Sequence, residues 1–184
     1  LMIADARTGR IIYGMIKEED FGTSLRIGPY RDTNIAAVLA HCASSADASK
    51  TCLEDFSAYL PSGGKPTAFM GAPIIDQGVV TGVLIAQMPI DEIDDTVTGG
   101  RRWRQEGFGA TGEAYLVGPD FTLRSGPRLY YENREAYFAT LRETGHTKEE
   151  ISAIERFGTP IMQEKIATTA TRAALSGVEG TGEV

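Results

Sequence analysis

The chain has 184 residues, 42% of them hydrophobic and 23% charged, with a formal net charge of −7. That length fits one generous domain, or one domain and part of a second. The negative balance argues against a nucleic-acid binder, whose affinity comes from clustered Lys and Arg, and the longest mostly apolar run, GVLIAQMPI at 82–90, is broken by Gln87 and Pro89 and too short to span a membrane.

In chain order, Leu1-Met2-Ile3-Ala4 and Ile11-Ile12-Tyr13 read as two strands around the turn DARTGR, with Gly9 supplying a permissive backbone. Asp32-Thr33-Asn34 offers N-cap chemistry, and Ile35, Val38, Leu39 and Cys42 fall at i, i+3, i+4, i+7, one face of an amphipathic helix. Three further strands follow: DFSAYL, TAFMGAPIID and GVVTGVLIAQM, the last two joined by a tight turn at Asp76-Gln77-Gly78. This order describes a compact antiparallel sheet with helices on one side, an α+β module over 1–90.

Beyond it, 91–106 reads as a connecting helix with Ile90, Ile93 and Val97 at helical spacing, ending near Gly99-Gly100. EAYLVG and FTLRSG then suggest a second hairpin about Gly118-Pro119-Asp120. Helices are expected over EAYFATLRETG, over TKEEISAIERFG with a Thr147/Glu150 capping box, and over IMQEKIATTATRAALSG to Gly177. The span 107–184 thus resembles the front half of a second module lacking its later strands. The chain opens inside an apolar run and closes on GVEGTGEV, the pattern of a piece excised from a larger protein.

Few residues suggest chemistry. Gly107, Gly109 and Gly112 spell G-x-G-x-x-G, but a dinucleotide site needs a strand before and a helix after; here a charged helix precedes and the β-rich EAYLV follows. Arg101-Arg102-Trp103-Arg104 reads as a solvated helix face. His41 sits off the apolar stripe of its helix, and His146 has no second histidine with which to build a metal site. Cys42 lacks a partner to activate it as a nucleophile. Asp94-Asp95 and Glu149-Glu150 are adjacent in helices and point apart. No catalytic residue, metal or cofactor is assigned. Cys42 and Cys52 flank the polar loop ASSADASKT, and the spacing fits either a disulfide or two unlinked thiols.

A binding pocket is the better-supported reading. Tyr30, Arg31, Phe56, Tyr59, Phe69 and Gln87 combine apolar walls with groups that could meet polar ligand atoms, Arg31 a carboxylate among them. Gln87 stands in an otherwise apolar strand and, if buried, must face something polar. The competing interpretation is that the aromatics fill the core.

Three stretches carry a family resemblance: DARTGRIIYGMIKEEDFGTSLRIGPYRDTNIA, YLPSGGKPTAFMGAPIIDQGVVTGVLIAQMPIDEID and WRQEGFGATGEAYLVGPDFTLRSGPR. They resemble the extracytoplasmic double Cache sensor domains of bacterial transmembrane receptors. Such sensors precede nucleotide cyclase, histidine kinase or methyl-accepting chemotaxis outputs. The resemblance implies two PAS-like modules, the first membrane-distal and ligand-holding, the second membrane-proximal. It also implies a small-molecule ligand, periplasmic placement by membrane anchors elsewhere in the full-length protein, and leaves homodimer formation open. The amino-acid-binding signature Tyr…Arg-x-Trp-Tyr-Tyr…Asp is not seen; Arg102-Trp103 lies after the module. The expected function is ligand sensing without catalysis, with a structural or dimerisation spacer as the alternative.

Overall fold

The structure, a computed structural model, describes residues 1–181; the last three positions of the expected second module, 182–184, lie outside them. The chain folds as two compact units, the first Leu1–Ile90 and the second beginning at Asp91.

The first unit is α+β. Strands β1 (Met2–Asp5), β2 (Ile11–Gly14), β3 (Cys52–Tyr59), β4 (Lys65–Asp76) and β5 (Val79–Pro89) form one antiparallel sheet in the order β2-β1-β5-β4-β3. Helix α1 (Asn34–Ala43) lies in the long connection between β2 and β3. This strand order is that of a PAS-like module. Side-chain alternation explains which face is closed. Met2, Ile85, Gly71 and Cys52 stand opposite one another across four strands and lie on the face that packs with α1. The β4–β5 hairpin turns where both central residues, Gln77 and Gly78, take positive φ (47° and 80°), which matches the twist of the flanking strands.

α1 buries Ile35, Val38, Leu39 and Cys42, the predicted stripe. Each of the larger three contributes roughly 1.5–3 kcal/mol by leaving water. Gly71 permits the close approach: a Cβ there would stand 2.5 Å from Val38 Cγ1 and 3.2 Å from Cys42 Sγ. The expected cap is modified, because Thr33 turns its hydroxyl to the Tyr30 carbonyl (2.6 Å) and makes no side-chain cap. Asn34 instead ties the helix to the sheet, donating to the carbonyls of Asp55 (2.9 Å) and Thr67 (2.7 Å).

The second unit departs from the sequence pattern in three places. Helix α2 spans Ile90–Val97 and stops there, so the connecting helix expected over 91–106 is half that length. Gly99, Gly100 and Arg101 all take φ near +60°, and three consecutive left-handed residues cannot extend a right-handed helix. The hairpin of EAYLVG and FTLRSG is reduced to a single bridge between Val117 and Leu123. The 121–124 backbone bonds on one edge with 116–118, through Arg124 N–H to Leu116 O (2.7 Å), and on the other with 162–166, through Leu123 N–H to Glu164 O (3.1 Å) and Ile166 N–H to Phe121 O (2.9 Å). For that reason the last helix starts only at α6 (Thr169–Leu175), where Thr168 caps it; the preceding residues are already committed to Leu123 and Phe121. Between these come α3 (Arg128–Glu132), α4 (Arg134–Glu143) and α5 (Lys148–Phe157), the last with both halves of the Thr147/Glu150 capping box formed. Tyr130, Tyr137, Phe138, Leu141, Ile151 and Ile154 make this unit's core.

Candidate ligand-binding site

The six residues read as pocket lining stand in different surroundings. Tyr59 and Phe69 are fully buried, and Tyr30 nearly so. Their rings pack edge to face, with centroids 4.9 Å apart for Tyr59–Phe69 and 6.0 Å for Tyr30–Tyr59. All three belong to the core cluster of the first unit. The reason is that β3, β4 and the approach to α1 converge there and leave the aromatic rings to fill the gap. Phe56 sits half-buried where the β3–β4 register slips between Glu54 and Ser57. Gln87 is half-buried beside Phe69 and finds its polar partner in Ser62, donating to Oγ at 2.7 Å. Ser62 in turn approaches Glu18 Oε2 at 3.4 Å.

A buried polar pair that the sequence reading missed lies behind the aromatics. Tyr59 donates its hydroxyl to Asp20 Oδ2 at 2.5 Å, and Asp20 is 3% exposed. Burial, then this bond and the Asp20 charge, push the Tyr59 phenol up, so that it remains a donor. Glu18 is also raised, by burial and by the neighbouring Asp20. Nothing in the local pattern marks a partnership across 39 residues.

An open cleft of about 400 Å³ does exist, on the outer flank of α1. One wall is small and apolar: Ala36, Ala37 and Ala40 on α1, with Leu25 and Leu39 at the floor. The other carries Arg26, Arg31, Asp32 and Thr33, so Arg31 alone of the six expected residues lines it. Arg31 is exposed and pairs loosely with Asp32 at 3.4 Å. Arg26 is positioned more firmly. Its Nη2 donates to the Ala6 carbonyl at 2.8 Å, and its side chain crosses Gly9 so closely that a Cβ there would stand 2.7 Å from Arg26 Cγ. The signal for this cleft was present in the sequence as the alanines at 36, 37 and 40, a small-residue strip beside the apolar stripe of α1.

The glycine motif belongs to a different construction. Gly107 and Gly109 take left-handed φ (87° and 67°) in a run of turns, with turns before them where a helix was expected and an irregular segment after, reaching one bridge at Val117, where a strand was expected. The carbonyls of Gly109 and Gly112 accept from Arg128 Nη1 at 3.2 and 2.8 Å. A phosphate loop aims N–H groups at its anion; here carbonyl oxygens converge on a buried guanidinium, the opposite polarity. Trp103, buried in the middle of the basic cluster, lies under the same guanidinium, 5.3 Å from its ring centre. Of the 101–104 stretch, Trp103 alone is buried and the three arginines are exposed.

His41 is exposed, with Nδ1 2.7 Å from Glu54 Oε1, and His146 Nδ1 lies 3.1 Å from Thr144 Oγ1. Among the described residues no three His, Cys, Asp or Glu side chains gather as a metal site. Cys42 and Cys52 are free and buried; burial, then the hydrogen bond to Cys52, push the Cys42 thiol up to about 12.

No family model matches the chain, and no curated protein matches it. Among solved structures it is similar to the ligand-binding domain of the Pseudomonas fluorescens chemoreceptor CtaA in complex with L-isoleucine (18% identity, TM-score 0.45, 67% of this chain and 43% of that one). The L-serine complex of the same domain gives 17%, 0.44, 68% and 46%. The ligand-binding domain of the Pseudomonas aeruginosa amino acid chemoreceptor PctC in complex with GABA gives 15%, 0.39, 67% and 48%. The chain spans less than half the length of each. The α+β architecture rests on the strands and helix described above.

Proposed function

We propose that this chain is the extracytoplasmic ligand-sensing part of a bacterial transmembrane receptor, and that its first unit binds a small organic carboxylate. The observation that supports this most is the cleft on α1: alanine walls beside two guanidinium groups, one of them fixed by a backbone carbonyl. On a molecule of net charge −7, a cleft holding two arginines against one aspartate is a local positive spot. Small apolar walls with a few placed polar groups are the usual make-up of small-molecule sites.

Transmission has a continuous path through the chain. β5 pairs with both β1 and β4 and runs without a loop into α2. A ligand that favours one placement of α1 over another would bias the sheet, and through β5 the helix that follows it, by its difference in affinity for the two states. The second unit is read as the front of the membrane-proximal module, with membrane anchors and a kinase, cyclase or chemotaxis output in other parts of the full-length protein; among the described residues no helix is long and apolar enough to cross a membrane. The reading is non-enzymatic.

Thermal-shift and calorimetric titration with carboxylates, amino acids, GABA and amines tests the proposal. A carboxylate present at 100 times its Kd should stabilise by about 2.7 kcal/mol, and Arg31→Ala together with Arg26→Ala should abolish the shift. The closed Tyr30–Tyr59–Phe69 core favours a second reading, a dimerisation spacer with no ligand of its own. Under that reading no ligand shifts the melt, and elution volume changes with protein concentration.

A further inference from the structure

We propose that Cys42 and Cys52 form a disulfide-closing pair that staples the C-terminal end of α1 to the first residue of β3. Cys52 stands opposite Gly71 in the β3–β4 register. Cys42 comes down on that same glycine, since a Cβ on Gly71 would stand 3.2 Å from Cys42 Sγ. Opposed residues on neighbouring strands have Cβ positions about 5 Å apart, so the Cys42 sulfur lies beside the Cys52 side chain. Both thiols are withdrawn from solvent on the same side of the sheet, Cys42 1% and Cys52 7% exposed. Both side chains belong to one core cluster, and the absent side chain at Gly71 leaves the room that a bridge between them occupies.

The chemistry requires an oxidant of the disulfide class, a small-molecule or protein disulfide RSSR. One thiol loses its proton and attacks RSSR, forming a mixed disulfide and releasing RSH. The second thiol then displaces the remaining RS group, giving Cys42–S–S–Cys52 and a second RSH, so two electrons and two protons pass to the oxidant. Cys52 is the natural entry point because it adjoins the exposed 46–51 loop, whereas Cys42 is 1% exposed. The same burial makes reaction in the folded protein slow. Closure therefore belongs to folding, or to opening of that loop, and once made it is shielded from reductants. The crosslink itself does not depend on the ligand reading; its consequence for function, fixing the helix whose Ala36, Ala37 and Ala40 wall the cleft, does.

The full chain refolded with oxidised and reduced glutathione tests it without any substitution. Mass spectrometry of the product should show the loss of two hydrogens, and a non-reduced digest should join the Cys42 and Cys52 peptides. The melting temperature should rise on the order of 10 °C and fall back with dithiothreitol. Cys52→Ser should show neither change. The proposal is overturned if both thiols still titrate under denaturing conditions, if the product stops at a glutathione adduct, if the bridge joins two chains, or if closure leaves the melting temperature unchanged. A closed bridge with no ligand response would leave the staple standing and count against the ligand reading alone.

Discussion

Replacing Tyr59 by Phe separates a core residue from a ligand donor. The substitution removes one oxygen and keeps the ring, so the packing on Phe69 and Tyr30, with centroids at 4.9 and 6.0 Å, is retained. What is lost is the 2.5 Å bond to Asp20, whose carboxylate is 3% exposed and has no bulk water to replace it. A hydrogen bond to a charged group contributes about 1.5–3 kcal/mol, so Tyr59→Phe should destabilise by about 2 kcal/mol. For a unit of this size that lowers the melting temperature by roughly 8–16 °C. Urea melts should show a lower midpoint at unchanged slope, the sign of a change in stability and not in the surface exposed. In a cycle with Asp20→Ala, which leaves no acceptor, the two costs should couple strongly, because each removes the same bond. A loss below about 0.5 kcal/mol, or additive costs in the cycle, would refute the pairing. A variant of native stability that no longer responds to ligand would return Tyr59 to the pocket.

Three further substitutions probe other contacts. Gly71→Ala should destabilise by about 1–3 kcal/mol, because its Cβ would stand 2.5 Å from Val38 Cγ1; denaturant melts read it directly. Thr147→Ala removes the capping box of α5 and should cost about 1 kcal/mol, visible as faster amide exchange at its first turn. Glu164 is buried against Tyr137, which donates to its Oε2 at 2.6 Å, and burial raises its pKa above the ordinary 4.5. The folded state therefore holds this proton more tightly than the unfolded one, and its charging opposes folding above the raised value. Relative to Glu164→Gln, the native chain should gain stability as pH falls through that raised value toward 4.5, and the gain should be complete below it. Parallel pH–stability curves for the two proteins would rule this out.

Local pattern was enough for the first unit because its elements close through near neighbours. The stripe Ile35, Val38, Leu39, Cys42 and the Gln77-Gly78 turn carry their own geometry, and strands joined by a hairpin pair with each other. The candidate site was less legible for a physical reason. Aromatic residues that alternate along a strand look alike whether they wall a cavity or fill it; the difference is set by what faces them, here Asp20 from a loop 39 residues away. Of the cleft residues, Arg31 was visible because a guanidinium suggests an anion, while Ala36, Ala37 and Ala40 pass as helix filler until something is seen to stand opposite them.

The second unit shows the limit more sharply. EAYLVG and FTLRSG have strand composition, yet they meet only at the Val117–Leu123 bridge and the two backbone bonds beside it, Gly118 N–H to Thr122 O and Arg124 N–H to Leu116 O, while Phe121 and Leu123 pair with residues some 40 positions later. Arg124 and Arg128 are the other feature that local pattern does not show there. Each is a buried cation that demands acceptors: Arg124 takes Asp120 at 3.1 Å together with the Thr122 carbonyl, and Arg128 takes the carbonyls of Gly109 and Gly112. The G-x-G-x-x-G spelling follows from the same demand. Glycine lets a backbone fold tightly enough to turn two carbonyls inward, and a loop shaped to receive a guanidinium carries the same letters as one shaped to receive a phosphate.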